Sequence, residues 1–216
     1  MAIRPVFSVS LNEKIFTREN VEFEWFGGFA LSQKRKCINS LHQNFLRKYP
    51  SKNILEISSK SENPFGVKLS AFNLMMNCNG KNFSVESAFQ GSKIFENGGP
   101  YVDLLEKPSI FAKKDSRLKS SGRVKGFEFN GENFPINPPT YFYNWVYINA
   151  LKSNPDLIEE LLNYDSFTDI VFNPQKSLNC QAMAAAIFVS LSKQNLLETA
   201  LENKNKFLEI VYGKRG

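Results

Sequence analysis

The segment FSVESAFQGSKIF, residues 83–95, combines side chains that can do acid–base chemistry. Glu86 is followed by Phe89, Gln90 and Lys93 at spacings of three, four and seven residues, so in a helix all four share one face. Glu86 and Lys93 would then lie about 10 Å apart along the helix axis. Spacing alone favours a solvent-exposed face with two charges, but an aromatic ring between these charges indicates a half-buried face.

The residues before this helix predict how it is positioned. Ser84 is a favourable N-cap residue and puts Glu86 in the first turn, where the helix dipole favours a carboxylate. Residues 67–77 are predicted as a strand that turns at Asn79-Gly80 and returns over Lys81–Phe83, because Asn-Gly suits the positive φ angles of a tight hairpin. The hairpin would deliver the chain directly into the helix.

The sequence gives little support for other classes of catalytic site. His42 is the only histidine and lies among apolar helix positions, which argues against Ser-His and Cys-His triads. No GxGxxG motif or P-loop is present. The three cysteines, Cys37, Cys78 and Cys180, are isolated, so neither a disulfide nor a zinc site is predicted. We expect no metal, no cofactor and a reducing bacterial cytoplasm.

The first third of the chain predicts two strands, a helix and a third strand. The strands are expected at Val6–Leu11, Asn20–Trp25 and Asn53–Ser58, from alternating or continuous apolar residues. Between the second and third strands, Ser32 can cap an amphipathic helix that Pro50 stops.

The remainder is mainly helical. A second Asn-Gly hairpin is predicted over residues 127–134. Helices are predicted at 141–153 (with Thr140 as cap), 155–164, 180–194 and within 195–213. The helix over 180–194 is apolar nearly all round, which is typical of a central buried helix. Together these elements predict an α+β fold with a small antiparallel sheet.

Composition limits the class of protein. The chain has 216 residues and is 42% hydrophobic, which suits one large globular domain. The longest apolar run, Ala182–Val189, is too short to cross a membrane, and the N-terminus does not have the pattern of a signal peptide. No membrane partner is therefore expected.

Positive charge is concentrated in two segments of a chain whose formal net charge is +6. Residues 1–60 carry ten Lys/Arg against five Asp/Glu, whereas residues 61–216 carry 17 against 16. A second excess lies at 113–125, where six basic residues stand against Asp115. Such segments suit phosphate-bearing partners, although charge alone equally fits an ordinary solvated surface.

The order of these pieces resembles the NADAR superfamily. The resemblance lies in LSAF at 69–72, the Asn-Gly hairpin, VESAFQGSK at 85–93, the acidic-aromatic loop at 165–169 and Asn179 before the buried helix. It covers roughly residues 53–200 and is most specific in the Glu-x-x-Phe-Gln-x-x-Lys element. The chain departs at Ala71, where the family usually has Asn, and at Phe167, where many members have Trp.

The layout is most similar to NADAR antitoxins paired with DarT-type DNA ADP-ribosyltransferase toxins. This resemblance implies a mainly helical NADAR domain at 53–216 and a basic β-β-α extension at 1–52 that packs on it. It also implies an antitoxin with N-glycosidase activity that removes ADP-ribose from guanine in DNA. The partners would be ADP-ribosylated DNA or guanosine, the ADP-ribose product and the cognate toxin.

The resemblance also implies roles for individual residues. Glu86 would stabilise positive charge on the ribose or activate water, while Lys93 would bind the substrate, keep Glu86 ionised or attack the opened sugar. Two further sets are expected to contact the substrate and the DNA. The substrate set is Ser70, Phe72, Phe89, Gln90, Trp145, Asp165, Phe167, Asp169, Asn179 and Lys60. The DNA set is Lys34, Arg35, Lys36, Lys113, Lys114 and Arg117.

Two other functions stay open at this point. One is a small-molecule N-glycosidase that cleaves a riboflavin-pathway intermediate, and the other is a non-catalytic protein that binds ADP-ribose or the toxin. Net positive charge favours a DNA substrate over a free metabolite.

Overall fold

The chain is described by a computed structural model that covers residues 1–12, 14–78, 80–175, 177 and 179–213. The strands are β1 (Ala2–Val9), β2 (Phe16–Phe23), β3 (Ile54–Glu56), β4 (Met75–Cys78), β5 (Lys81–Ser84), β6 (Lys93–Phe95), β7 (Val124–Phe129), β8 (Glu132–Pro135) and β9 (Ser166–Thr168). The helices are α1 (Leu31–Lys48), α2 (Pro64–Lys68), α3 (Val85–Gly91), α4 (Ser109–Lys114), α5 (Arg117–Ser120), α6 (Tyr141–Lys152), α7 (Pro155–Leu161), α8 (Gln181–Lys193), α9 (Leu197–Ala200) and α10 (Lys204–Tyr212). A 3-10 helix spans Val102–Glu106. The predicted α+β fold is confirmed.

A four-stranded sheet contains the N-terminal hairpin, in the order β2-β1-β9-β3. Strand β9 is antiparallel to β1 and parallel to β3. Both strands of the hairpin begin and end earlier in the chain than predicted. Their pairing runs from Ala2↔Phe23 to Val9↔Phe16 and includes polar residues that lie outside the alternating pattern. The first two predicted strands therefore exist with shifted ends.

Helix α1 covers the hairpin with its apolar side, where Ile38, Leu41 and Phe45 are buried. It begins one residue before the predicted cap, so Ser32 lies inside the helix and Ala30 occupies the N-cap position without a side-chain hydrogen bond. Its end at Lys48, before Pro50, agrees with the prediction.

A polar contact ties α1 to the sheet below it. The His42 Nε2 atom lies 2.7 Å from the Thr168 hydroxyl, and burial lowers the pKa of His42 to about 4. Since the imidazole is neutral at pH 7, the contact is a hydrogen bond between neutral groups. This agrees with a packed histidine rather than a catalytic one.

The segment before the first Asn-Gly turn is not the long strand predicted over 67–77. Asn63 caps helix α2 by accepting from the Phe65 N–H, and Pro64 occupies its first position, so the chain is helical where a strand was predicted. The strand begins only at Met75. Strands β4 and β5 pair antiparallel, which confirms the hairpin, although Asn79 lies outside the described residues.

Helix α3 begins as predicted, with the Ser84 hydroxyl accepting from the Ser87 N–H. It ends at Gly91, so Lys93 is the first residue of β6 rather than a helical residue. Strand β6 pairs with β7, and the predicted β7–β8 hairpin turns at Asn130 and Gly131 with φ angles of +52° and +76°. Strands β6, β7 and β8 therefore form a three-stranded sheet whose first strand follows α3.

The core is built around α8 and α6. Residues 181–191 of α8 are all buried, as its apolar composition predicts. The Tyr147 hydroxyl of α6 donates to the Leu69 carbonyl at 2.6 Å, which fixes the turn after α2. Thr140 does not act as a cap because its φ angle is +72°, and its hydroxyl contacts the Tyr212 hydroxyl instead. Helix α7 ends at Leu161, before the predicted end at Tyr164.

Candidate active site

The four residues of the opening motif lie on one wall of a cavity of about 650 Å³. The other walls come from residues 58–59 and 70–72, from Lys113, Val124 and Phe127, and from side chains of two later segments, namely Ile136, Pro139, Thr140, Tyr143, Asp169, Val171, Phe172, Asn173, Ser177, Asn179 and Gln181. A cavity of this size suits a nucleotide-sized ligand, because small-molecule sites usually measure roughly 300–1,000 Å³.

Glu86 is positioned by the way α3 begins. Its backbone N–H donates to the Ala71 carbonyl at 2.9 Å, and the preceding Val85 N–H donates to the Leu74 carbonyl. These bonds dock the start of α3 on the turn that follows α2. The Glu86 side chain is only 7% exposed, so the carboxylate is fixed at the cavity wall rather than free in solvent.

Gln90 connects the two charged residues of the motif. Its Nε2 atom donates to Glu86 Oε1 at 2.9 Å, and its Oε1 atom accepts from Lys93 Nζ at 2.7 Å. Both polar ends of the amide are used, so its orientation is fixed by its neighbours. The end of α3 and the start of β6 therefore hold the carboxylate and the amine in one hydrogen-bonded row.

The Lys93 side chain lies in mainly apolar surroundings. Its ammonium lies 4.6 Å from the centre of the Phe89 ring, and that ring packs against Phe127, Phe142 and Tyr143. Burial lowers the pKa of Lys93 to about 8, with Glu86 opposing the shift. Burial therefore favours the neutral amine more than it is favoured in an exposed lysine.

The cavity lining also contains an acid and a phenol. The Asp169 Oδ1 atom accepts from the backbone N–H groups of Val171 and Phe172, yet burial and the nearby Glu56 raise the pKa of Asp169 to about 8. Burial also raises the pKa of Tyr143 well above its usual value. Burial therefore disfavours the charged forms of both groups.

Lys113 adds a second amine. The sequence predicted a DNA contact, but the structure places this residue at the cavity, with Nζ 3.5 Å from Glu86 Oε1. The two residues come together because α4 packs on α3. Glu86 therefore faces Lys113 directly and Lys93 through Gln90.

Sequence comparison assigns the chain to a family. The model of a family described as DarT1-associated NADAR antitoxin matches residues 2–216. The chain belongs to this family. A search of curated protein sequences finds no significant match. The family match includes the basic first 52 residues, so the extension is part of the pattern of these NADAR antitoxins.

Several predicted substrate residues of this NADAR antitoxin line the same cavity as Glu86. These are Ser70, Phe72, Phe89, Gln90, Asp169 and Asn179. The Ser70 hydroxyl donates to the Val67 carbonyl, so this side chain stabilises the turn as well as lining the wall. The Phe72 ring is half-buried and lies 4.8 Å below the Lys113 ammonium.

Four predicted substrate residues lie elsewhere in the NADAR fold. Trp145 packs on Phe207 and Phe134 and faces a different depression. Phe167 is fully buried in β9, with β1 on one side and β3 on the other, and cannot stack on a ligand. Asp165 pairs with Lys52, and Lys60 follows the cavity residues 58–59 without lining the cavity.

The predicted DNA-contacting residues divide into three groups. Lys34 and Lys36 hold their ammonium groups 4.5 Å and 5.8 Å from the rings of Trp25 and Phe26, while Arg35 lies between them on α1. Lys114 is exposed beside the cavity. Arg117 is engaged by Asp103 and Asp115, and its hydrogen bonds hold the pKa of Asp115 well below its usual range. Arg117 therefore has a structural role in the described fold.

Tyr143 and Gln181 are cavity residues that the sequence reasoning missed. Gln181 accepts from the Ala71 N–H at 2.7 Å and donates to the Ile57 carbonyl at 2.6 Å, which joins two walls. A glutamine at the start of an otherwise apolar helix was the available signal. Tyr143 lies in the aromatic segment from which Trp145 was chosen, and only the packing of α6 distinguishes the two.

The NADAR cavity is lined by two carboxyl groups, two amines and a phenol, which suits acid–base and electrostatic catalysis. In the part of the chain that the structure describes, no group of three or more His, Cys, Asp or Glu side chains is arranged to hold a metal ion. Within the same residues, no helix has the length and apolar character of a membrane span.

Proposed function

We propose that this antitoxin is an N-glycosidase that removes ADP-ribose from guanine bases in DNA and so reverses modification by a DarT-type toxin. The observation that supports it most is the fixed position of Glu86 in a nucleotide-sized cavity, with Lys93 held beside it through Gln90. The family match supports the antitoxin role. The core at 53–216 would carry the reaction, and the basic extension at 1–52 would contact DNA in the cytoplasm.

The reaction needs a negative group close to the reacting ribose. When the bond between C1″ and the guanine nitrogen breaks, its electron pair leaves with guanine and positive charge develops on the ribose. Water then adds to C1″, and one proton returns to the guanine nitrogen. Glu86 can stabilise the developing charge or accept the proton of the attacking water.

Lys93 has three possible contributions to this reaction. Protonated, it can bind a substrate oxygen or favour the ionised form of Glu86 through the Gln90 amide. Neutral, it can act as a nucleophile on the opened ribose, because an amine must lose its proton to attack carbon. Its lowered pKa supports the third contribution.

The direct test is incubation with an oligonucleotide that carries ADP-ribose on guanine, with free ADP-ribose as the product measured. The native protein should release ADP-ribose, and Glu86→Gln should lower kcat by about a thousandfold or more. Glu106→Gln is the control, because Glu106 is an exposed carboxylate outside the cavity. No release by the native protein would refute the proposal.

A companion test in cells separates catalysis from binding. Cells that express a DarT-type toxin should survive with the native antitoxin and die with Glu86→Gln. If Glu86→Gln protects as well as the native protein, the antitoxin acts by binding the toxin or ADP-ribose rather than by hydrolysis.

A further inference from the structure

Lys113 is an exposed lysine that lies at the cavity of the candidate active site. Among the described lysines, Lys93 and Lys113 line the cavity. Lys93 lies within the wall, whereas the Lys113 side chain is 52% exposed and lies at the mouth. An ammonium at the mouth meets a ligand before the buried groups do.

The helix that carries Lys113 is fixed beside the catalytic helix. The Ser109 Oγ atom lies 2.7 Å from both the Phe72 carbonyl oxygen and the Ser84 Oγ atom, which is the cap of α3. Ala112, in the middle of α4, is fully buried. Because the start of α4 is hydrogen-bonded and its buried side is packed, Lys113 projects from a defined position.

The ammonium of Lys113 lies close to a carboxylate and to an aromatic ring. It lies 3.5 Å from Glu86 Oε1 and 4.8 Å from the centre of the Phe72 ring. A close ammonium–carboxylate hydrogen bond is shorter, about 2.7–2.9 Å, and an ammonium has three N–H donors. Lys113 can therefore accept an additional anion without leaving this place.

We propose that Lys113 binds the diphosphate of ADP-ribose at the mouth of the cavity and makes the enzyme selective for phosphate-bearing ribosyl groups. The inference rests on the proposed function. The diphosphate is attached at the other end of the ribose from C1″, so when C1″ meets Glu86 the phosphates point away from the carboxylate. Phosphates bound in the same cavity still repel the Glu86 carboxylate, and the Lys113 ammonium, 3.5 Å from Glu86 Oε1, can offset that repulsion.

Trimmed substrates can isolate the contribution of the phosphates. Phosphodiesterase treatment of ADP-ribosylated guanosine leaves a ribosyl group with one phosphate, and phosphatase then leaves the ribosyl group alone. The kcat/KM value should be measured for all three with the native protein, Lys113→Gln and Lys81→Gln. Lys81 is the matched control, because it is 63% exposed and pairs with Glu106 away from the cavity.

The native protein should prefer the two phosphate-bearing substrates. Lys113→Gln should lower kcat/KM for these substrates by roughly 10- to 100-fold more than for the phosphate-free substrate, mainly through KM. Lys81→Gln should match the native protein throughout. Equal loss on all three substrates would overturn the proposal, because Lys113 would then act through Glu86 alone.

The same variants separate two sources of phosphate. If Lys113 binds the diphosphate of ADP-ribose, Lys113→Gln should lose the same factor on ADP-ribosylated guanosine and on a modified oligonucleotide. A loss on the oligonucleotide that is at least tenfold larger would overturn this assignment in favour of the DNA backbone. Absence of activity in the native protein on every substrate would instead refute the proposed function.

Discussion

The ammonium group of Lys93 lies 4.6 Å from the centre of the Phe89 ring, inside the wall that also holds Glu86. A ring face attracts a cation but replaces little of the hydration that burial removes. Lys93 therefore lowers the stability of the fold while it is charged, and its lowered pKa of about 8 reflects this destabilisation.

Replacement of Lys93 by Met should stabilise the protein at pH 7 by on the order of 1–3 kcal/mol. The unfolded chain holds the lysine proton up to about pH 10.5, whereas the folded chain releases it near pH 8. The penalty is thus complete below pH 8 and disappears as pH rises from 8 to 10.5. Urea unfolding of native protein and Lys93→Met at pH 7 and pH 10 measures this. An advantage of Met that is the same at both pH values would contradict the burial argument.

Gln90 should be a positioning residue whose loss affects turnover more than binding. Gln90→Met keeps the size of the side chain but breaks its hydrogen bonds to both Glu86 and Lys93. We expect kcat to fall by roughly 10- to 100-fold with a smaller change in KM. Steady-state kinetics on ADP-ribosylated guanosine provide the measurement. A rise in KM with unchanged kcat would show that Gln90 binds substrate instead.

A second variant, Gln90→Glu, tests the hydrogen-bonded row of Glu86, Gln90 and Lys93 by adding a negative charge. Gln90→Glu places a carboxylate beside the Lys93 ammonium, which favours the protonated amine and raises the pKa of Lys93. If neutral Lys93 takes part in the reaction, the limb of the pH–activity profile near pH 8 should move upward in this variant. An unmoved profile would leave Lys93 with a role in binding.

The basic surface of α1 should matter for DNA and not for a free nucleoside. Neutralising Lys34, Arg35 and Lys36 together as glutamines should weaken cleavage of modified DNA and reduce its dependence on salt. Cleavage of ADP-ribosylated guanosine should persist. The control removes three positive charges elsewhere, at Lys68, Lys81 and Lys206. An equal loss of cleavage activity on both substrates would argue against a DNA-binding role for this surface.

Local signals in the sequence were sufficient for much of the fold. Ser84 caps α3, and Asn130 with Gly131 turns a hairpin, because these residues favour those backbone conformations through short-range forces. The uniformly apolar α8 is buried for an equally simple reason. Glu86, Gln90 and Lys93 share a wall even though the helix ends before Lys93.

Distant packing decided what sequence could not. Lys113 reaches Glu86 across 27 positions of chain only because α4 docks on α3. In the aromatic helix, Tyr143 faces the cavity and Trp145 faces α10, a choice made by neighbouring elements rather than by the residues themselves. Phe167 is buried because β9 pairs on both sides. Periodicity identifies the faces of an element, and tertiary contacts decide what each face meets.

The position of β1 between β2 and β9 has a consequence for how the antitoxin is made. Ser8 contacts Ser166, a partner 158 positions later in the chain. Ribosomes add roughly 5–20 residues per second, so the first strand leaves the ribosome well before its partner has been synthesised. The edge of the N-terminal hairpin that pairs with β9 therefore stays open during that interval, and β1 joins the rest of the sheet only after residues 166–168 have been made.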